Sequence, residues 1–293
     1  MVAEVVKFHL YKIPRYFNYL SRLPKNDSFL STALYKTSML HSHVTPAIVL
    51  RNWSFGESDK IVSFLTEDHG KITGIAKGAK RSRKRFMNSL EPFSLVNLCF
   101  RDRPQSSLVF IVASDLLRSF NQLTTSLEKI TWASYMVEIT DGLTGEGEEN
   151  RLVFQHLRDG LGTLNERSTS LKFLTAFELT LLQLAGYQPL LNKCKRCGKE
   201  RGVSLTNQWQ FSPRDGGILC EPCSGWAKET LPLSAKALDV LTDLQARGNM
   251  PSSPLLLPSS VVREIRSIMQ RFIQFHIDRE IKSASVLNEF SMI

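Results

Sequence analysis

From Thr45 onward the chain breaks into short apolar runs separated by turn residues. Ala47-Ile48-Val49-Leu50 predicts a first strand, and Asn52 to Ser58, with Gly56, predicts a turn. Lys60 to Thr66, carrying Ile61, Val62, Phe64 and Leu65, predicts a second strand. Glu67-Asp68-His69-Gly70 predicts a tight turn in which glycine supplies the positive φ. Lys71 to Lys77 predicts a third strand, Leu95 to Phe100 a fourth and Leu108 to Ala113 a fifth. Five short strands within about 70 residues predict a small closed or partly open β-barrel.

The period then lengthens. Leu127 to Leu143 gathers Ile130, Ala133, Tyr135, Met136 and Ile139 on one helical face, and Leu152 to Leu164 repeats the pattern. Leu171 to Ala185 is apolar nearly all round, which predicts the buried central helix. Gly186 ends it and Pro189 follows as a stop. Ser234 caps a predicted helix over Ala235 to Ala246. Pro251 to Pro258 is a Pro/Ser linker, and Ser259 to Ile281 predicts one final helix. The expected organisation is α+β: a barrel over 45–122 and a helical domain over 123–293, with a cysteine-rich insert at about 192–226. Residues 1–44 show no sustained period. A flexible basic arm, an organelle transit peptide and an upstream translation start, with Met39 as the true start, are all compatible with them.

Charge sharpens this division. The chain has 37 Lys and Arg against 28 Asp and Glu, leaving +9. Residues 1–122 hold 18 basic and 9 acidic side chains, whereas 123–293 hold 19 of each. The N-terminal part is therefore expected to bind a polyanion. No apolar stretch reaches 18 residues, which excludes a membrane-spanning helix of that length. No secretory h-region is evident, so a reducing, cytoplasmic setting is expected. Gly70-Lys71-Ile72-Thr73 resembles the end of a phosphate-binding loop but lacks its first glycine. No nucleophile–base constellation can be assembled, so the expectation is a protein that is not an enzyme.

Cys194-x-x-Cys197 and Cys220-x-x-Cys223 carry the clearest chemistry. A two-residue gap brings both sulfurs of one turn to a single ion, and two such turns close a tetrahedral four-thiolate shell. Trp209, Phe211, Pro213 and Gly216-Gly217 between them suggest a β-hairpin, hence a zinc ribbon with structural zinc; a redox pair or a disulfide is the alternative. Cys99, inside an apolar strand, is expected to be a core residue.

Residues 77–85 contain six basic side chains among nine and no acidic one: Lys77, Lys80, Arg81, Arg83, Lys84 and Arg85. Glu91 is the nearest carboxylate along the chain. Nucleic-acid phosphate is the expected partner, with a log–log salt slope of roughly −3 to −5 for four to six neutralised phosphates. A solvated loop is the plain alternative. Lys193, Lys195, Arg196, Lys199 and Arg201 beside the first cysteine pair either extend such a surface or form the polar rim of the ribbon. Trp53, Phe55 and Phe86 are expected to be core residues, with base stacking near the barrel face as the functional alternative.

Read in order, these motifs resemble the RecO family of bacterial recombination mediators, from about Thr45 to near the C-terminus. The resemblance rests on Ala47-Ile48-Val49-Leu50, Gly56-Glu57-Ser58-Asp59, Thr66-Glu67-Asp68-His69-Gly70-Lys71, Ala76-Lys77-Gly78-Ala79-Lys80-Arg81 and Leu90-Glu91-Pro92-Phe93. It continues through Ala185-Gly186-Tyr187-Gln188-Pro189, the two cysteine pairs, Phe275-His276-Ile277 and Lys282-Ser283. It implies a five-stranded OB-type barrel, a helical domain and an inserted zinc ribbon. It also implies a DNA repair and recombination protein that binds single- and double-stranded DNA and anneals complementary strands. Such a protein would work with RecR to load RecA onto DNA coated by single-strand-binding protein (SSB), touching the SSB acidic tail. Two other classes stay open on the residues: an RNA-binding barrel-and-ribbon module, and a metal-dependent nuclease using Asp59, Glu67, Asp68 and His69.

Overall fold

The computed structural model describes residues 42–82, 84–167, 170–202, 209–247 and 257–290. The segment 1–41, Arg83 and most of the Pro/Ser linker (251–256) lie outside the described residues. The chain divides into two compact units: the described residues up to Phe64 with Ile72–Arg118, and Leu65–Lys71 with the chain from Ser119.

The first unit is built on five strands: β1 (His43–Phe55), β2 (Asp59–Thr66), β3 (Lys71–Ala76), β4 (Leu95–Arg101) and β5 (Val109–Arg118). They close in the order β1-β2-β3-β5-β4. β1 and β4 pair antiparallel (Ala47 opposite Val96), as do β4 and β5, while β3 and β5 run parallel with Gly74 opposite Val109. Alternate residues point inward: Ala47, Val49, Val62, Phe64, Val96, Leu98, Phe100 and Ile111 fill the interior. Ile48, Leu50 and Ile61 are buried as well, so β1 and β2 are covered on both faces and read as continuous apolar runs. Two strands outrun their sequence signals. β1 continues through 52–55, the first part of the turn expected over Asn52–Ser58, and β5 continues to Arg118. Cys99 is only half-buried: it alternates with Leu98 and Phe100 and takes the outer face, which corrects its expected core placement.

In the second unit, α1 (Leu127–Leu143), α2 (Arg151–Glu166) and α3 (Leu171–Leu184) start at Ser126, Asn150 and Ser170, whose side chains accept the N–H three residues on. Gly186, at φ +82°, closes α3: Tyr187 N–H reaches Leu182 O and Gly186 N–H reaches Gln183 O. α3 is buried as expected, but it shares the centre with α1, which buries Thr131, Glu138, Thr140 and Asp141 along with its apolar residues. Those polar positions mimic a solvated face in sequence. In the structure each is satisfied: Glu138, for example, accepts the backbone N–H groups of Lys282 (3.2 Å) and Ser283 (2.9 Å).

The remaining elements are β6 (Trp209–Ser212), β7 (Gly217–Cys220), α4 (Glu221–Ser224), β8 (Leu231–Leu233), α5 (Ala235–Arg247), α6 (Ser259–His276) and α7 (Lys282–Phe290). The final helix expected over 259–281 ends early, at His276, and a further helix, α7, follows beyond the expected range. Gln274 makes the break: its Nε2 donates to Ile277 O (3.2 Å) and Arg279 O (2.8 Å), and its Oε1 accepts Ile281 N–H (3.3 Å).

Candidate nucleic-acid interface and metal centre

The basic segment is the β3–β4 connection. Its far part enters the barrel: Phe86 and Leu90 belong to the interior cluster, and Ser89 Oγ donates to Ser114 O at 2.6 Å. Phe86 is therefore a core residue, not a stacking platform; its ring also lies 4.9 Å from the Arg85 guanidinium. Trp53 and Phe55 stay half-exposed on β1.

With both ends anchored, the cations face outward. Lys77, Lys80, Arg81, Lys84 and Arg85 are all exposed, and Arg83 lies outside the described residues. Two of the five also brace the loop. Arg85 Nη2 donates to Lys77 O at 2.7 Å, and Lys80 Nζ donates to Gly56 O at 2.8 Å. The side chains of Arg81 and Lys84 make no ion pair among the described residues.

A residue overlooked as a support holds this loop. Asp59, at the start of β2, accepts the Gly78 N–H and the Ser58 hydroxyl on Oδ1, both at 2.8 Å. Lys80 N–H donates to Ser58 O at 2.9 Å. Gly78 adopts φ +68°, which turns the chain so that this amide meets the carboxylate. The Gly78 N–H, the Ser58 hydroxyl and the Lys77 and Lys80 charges outweigh desolvation and hold the Asp59 carboxyl below its ordinary value. Glu91, nearest along the chain, is engaged elsewhere, accepting from Lys60 Nζ at 2.8 Å. The loop thus has a local counter-charge that linear spacing conceals.

The second feature is the ribbon. β6 and β7 pair antiparallel, Trp209 opposite Cys220, and β8 adds a third strand on β6. The hairpin was expected; β8 and the short α4 were not. The sulfurs of Cys194, Cys197, Cys220 and Cys223 all lie within 4.8 Å of one another, and Cys197 and Cys220 are 3.6 Å apart. Tetrahedral thiolate ligation with bonds of about 2.3 Å puts sulfurs about 3.8 Å apart, so the donor set fits one ion. All four are free cysteines, and 3.6 Å is far beyond disulfide bonding. Burial works to raise the Cys194 thiol, but N–H groups of Cys197, Cys220 and Arg196 outweigh it and bring its pKa down to about 6. Cys223 is pushed up to about 12 by hydrogen bonding to Cys220 and by burial, and burial also raises Cys220. One thiolate is favoured and its neighbours resist a second; a bound cation removes that conflict.

Around the ribbon, Arg196 is bidentate to Asp215 (2.8 and 3.1 Å) and Arg201 pairs with Asp239, while Lys193, Lys195 and Lys199 are exposed. The nuclease constellation does not assemble. Asp59 serves the basic loop, Glu67 and Asp68 pair with Arg151 at 3.2 and 3.1 Å, and His69 N–H caps onto Thr66 Oγ1 at 2.9 Å. Among the described residues, the four cysteines are the one group with metal-ligating geometry.

These features define a class: an OB-type barrel joined to a helical domain that carries a four-cysteine ribbon. Comparison with known proteins resolves it further. Residues 39–120 match the family model "Recombination protein O N terminal", and residues 124–285 match "Recombination protein O C terminal". The chain belongs to the RecO family. It is 35% identical over 243 residues to the DNA repair protein RecO of an Anaeromyxobacter species (strain Fw109-5), covering 83% of this chain and 94% of the relative. The DNA repair protein RecO of Syntrophus aciditrophicus is 32% identical over 250 residues (85% and 96%), and that of Myxococcus xanthus 31% over 246 residues (84% and 97%). No helix among the described residues is long and apolar enough to cross a membrane.

Proposed function

We propose that this protein is a cytoplasmic, nucleoid-associated mediator of DNA repair and homologous recombination, not an enzyme. It binds single- and double-stranded DNA and anneals complementary strands. With RecR it helps load RecA onto SSB-coated DNA, contacting the SSB acidic tail. The observation that carries this reading is the exposed cationic β3–β4 loop on a closed OB-type barrel, in a chain of the RecO family. Lys77, Lys80, Arg81, Lys84 and Arg85, with Arg83 from the same sequence run, grip phosphates. Contacts of this kind position a backbone and read no sequence. Annealing then has a simple account: two polyanions repel, and a cationic surface lowers that repulsion while leaving base edges free to pair. Zinc is the ion of the four-cysteine centre, because four thiolates in a closed shell suit it and leave no position for a reacting water.

The test is annealing of two complementary SSB-coated oligonucleotides at two salt concentrations, without nucleotide cofactor. Salt-sensitive acceleration, lost in Arg81→Glu/Lys84→Glu, is the expected result. Binding without acceleration, or tighter binding to RNA than to DNA, would replace this reading with a plain RNA-binding module.

A further inference from the structure

The ribbon carries one feature that the four-cysteine centre does not explain. Trp226, three residues past Cys223, is 86% exposed, the most exposed large hydrophobic side chain among the described residues. Its backbone is nevertheless held in place. The Trp226 backbone N–H donates to Cys223 O (3.4 Å), the carbonyl that also accepts Arg196 Nη1 (3.3 Å), and Ala227 N–H closes onto Ser224 O at 3.0 Å. An indole carried on this anchored turn and left in water forgoes apolar burial.

We propose that Trp226 is a stacking platform for a base of single-stranded DNA, and that the ribbon is a second nucleic-acid contact separate from the barrel loop. This rests on the reading of the protein as DNA-binding. The surroundings fit that ligand. Residues 193–228 carry seven basic side chains against three acidic ones, net +4, inside a C-terminal part that is neutral as a whole. Arg196 and Arg201 are taken up by Asp215 and Asp239. Lys193, Lys195, Lys199, Arg214 and Lys228 are exposed and make no ion pair among the described residues. A docked protein needs a contiguous apolar patch around its anchor. Within 193–228 no other described residue is an exposed large hydrophobic, while the same stretch supplies these five exposed cations. An exposed aromatic on a cationic ribbon suits a base flanked by phosphates.

The experiment is titration of the intact, metal-loaded protein with a labelled oligo-dT, following anisotropy and tryptophan emission. Trp226→Ala, Trp226→Phe and the barrel variant Arg81→Glu/Lys84→Glu are compared. Trp132 and Trp209 are buried but Trp53 is half-exposed on the barrel, so all titrations are made in a Trp53→Phe background, where stacking on Trp226 should dominate the quenching. Trp226→Ala is expected to weaken binding about tenfold and remove the quenching, with the salt slope unchanged because no phosphate contact is lost. Trp226→Phe is expected to regain most of the affinity without the emission change, at an unchanged melting temperature. If Trp226→Ala binds as tightly as wild type while the barrel variant is impaired, the ribbon contact is overturned and the tryptophan is left to a protein partner. If the barrel variant binds normally and Trp226→Ala does not, the barrel reading falls and the ribbon contact stands. A wild-type protein that fails to bind oligo-dT overturns both.

Discussion

The Asp59 carboxylate accepts the Gly78 N–H at 2.8 Å, placing an acidic group at the root of the most cationic loop in the chain. On charge alone it opposes phosphate binding; on geometry it fixes the loop proposed to bind. The two effects predict opposite signs. Asp59→Ala adds one positive charge yet is expected to weaken DNA binding several-fold, because Gly78 loses its acceptor. Asp59→Asn keeps an oxygen toward Gly78 and removes the charge, so it should bind at least as tightly as wild type. Anisotropy titrations at two salt concentrations decide it, and tighter binding by Asp59→Ala would end the positioning role.

The four-cysteine centre should release one equivalent of divalent metal to a strong chelator. Trp209 pairs with Cys220 and is buried, so its emission should shift to the red as the ribbon loosens. Replacing Cys197 or Cys220 with serine should lower metal content and melting temperature together. Metal affinity should fall with pH, since each thiol must lose its proton to ligate. Protein purified without metal, with unchanged melting temperature, would refute a structural ion.

Glu178 and Arg266 form a buried pair, 0% and 5% exposed, with Arg266 Nη1 on both carboxylate oxygens (2.7 and 2.9 Å) and Tyr135 OH donating to Oε1 at 2.6 Å. Burial and the Glu178 charge hold the Tyr135 phenol well above its ordinary value, so it stays a donor. Removing one partner leaves an uncompensated buried charge, a loss of roughly 3–5 kcal/mol. Glu178→Gln and Arg266→Met should each lower the denaturant midpoint sharply, and the double variant should be less destabilised than the sum. Additive losses would show that the pair is not coupled.

His156 is half-buried, stacked on Phe177 at 4.5 Å, with its Nε2 3.0 Å from Phe177 O. Burial lowers its pKa, outweighing that contact and the Asp159 charge. The folded state therefore binds its proton less readily than the unfolded chain. The sign follows: this stability is fully present above the unfolded value of about 6.5 and is lost as pH falls below it. His156→Gln should flatten the melting temperature against pH in that acidic window. An unchanged profile would assign the acid sensitivity to other groups.

Much of the barrel was legible because its signals are local. Inward alternation in Val62 and Phe64 or Val96, Leu98 and Phe100, and turns marked by Gly56 and Gly70, need no knowledge of what lies opposite. The cysteine quartet was legible for the same reason: two-residue spacing is a property of one turn. Cys99 misled because an apolar strand does not show which face a residue takes. Asp59 was overlooked as a support because its partner Gly78 lies 19 residues away.

The sequence alone determined the five barrel strands, the main helices, the family and the four cysteines that cluster, since each follows from period, motif order or short spacing. Tertiary structure decided the rest. It ended the expected terminal helix at His276 and added another after it, drew Glu138 and Asp141 into the interior and left Trp226 in water. Those outcomes depend on which distant group satisfies a buried donor or covers an apolar surface, and a linear pattern carries no such information.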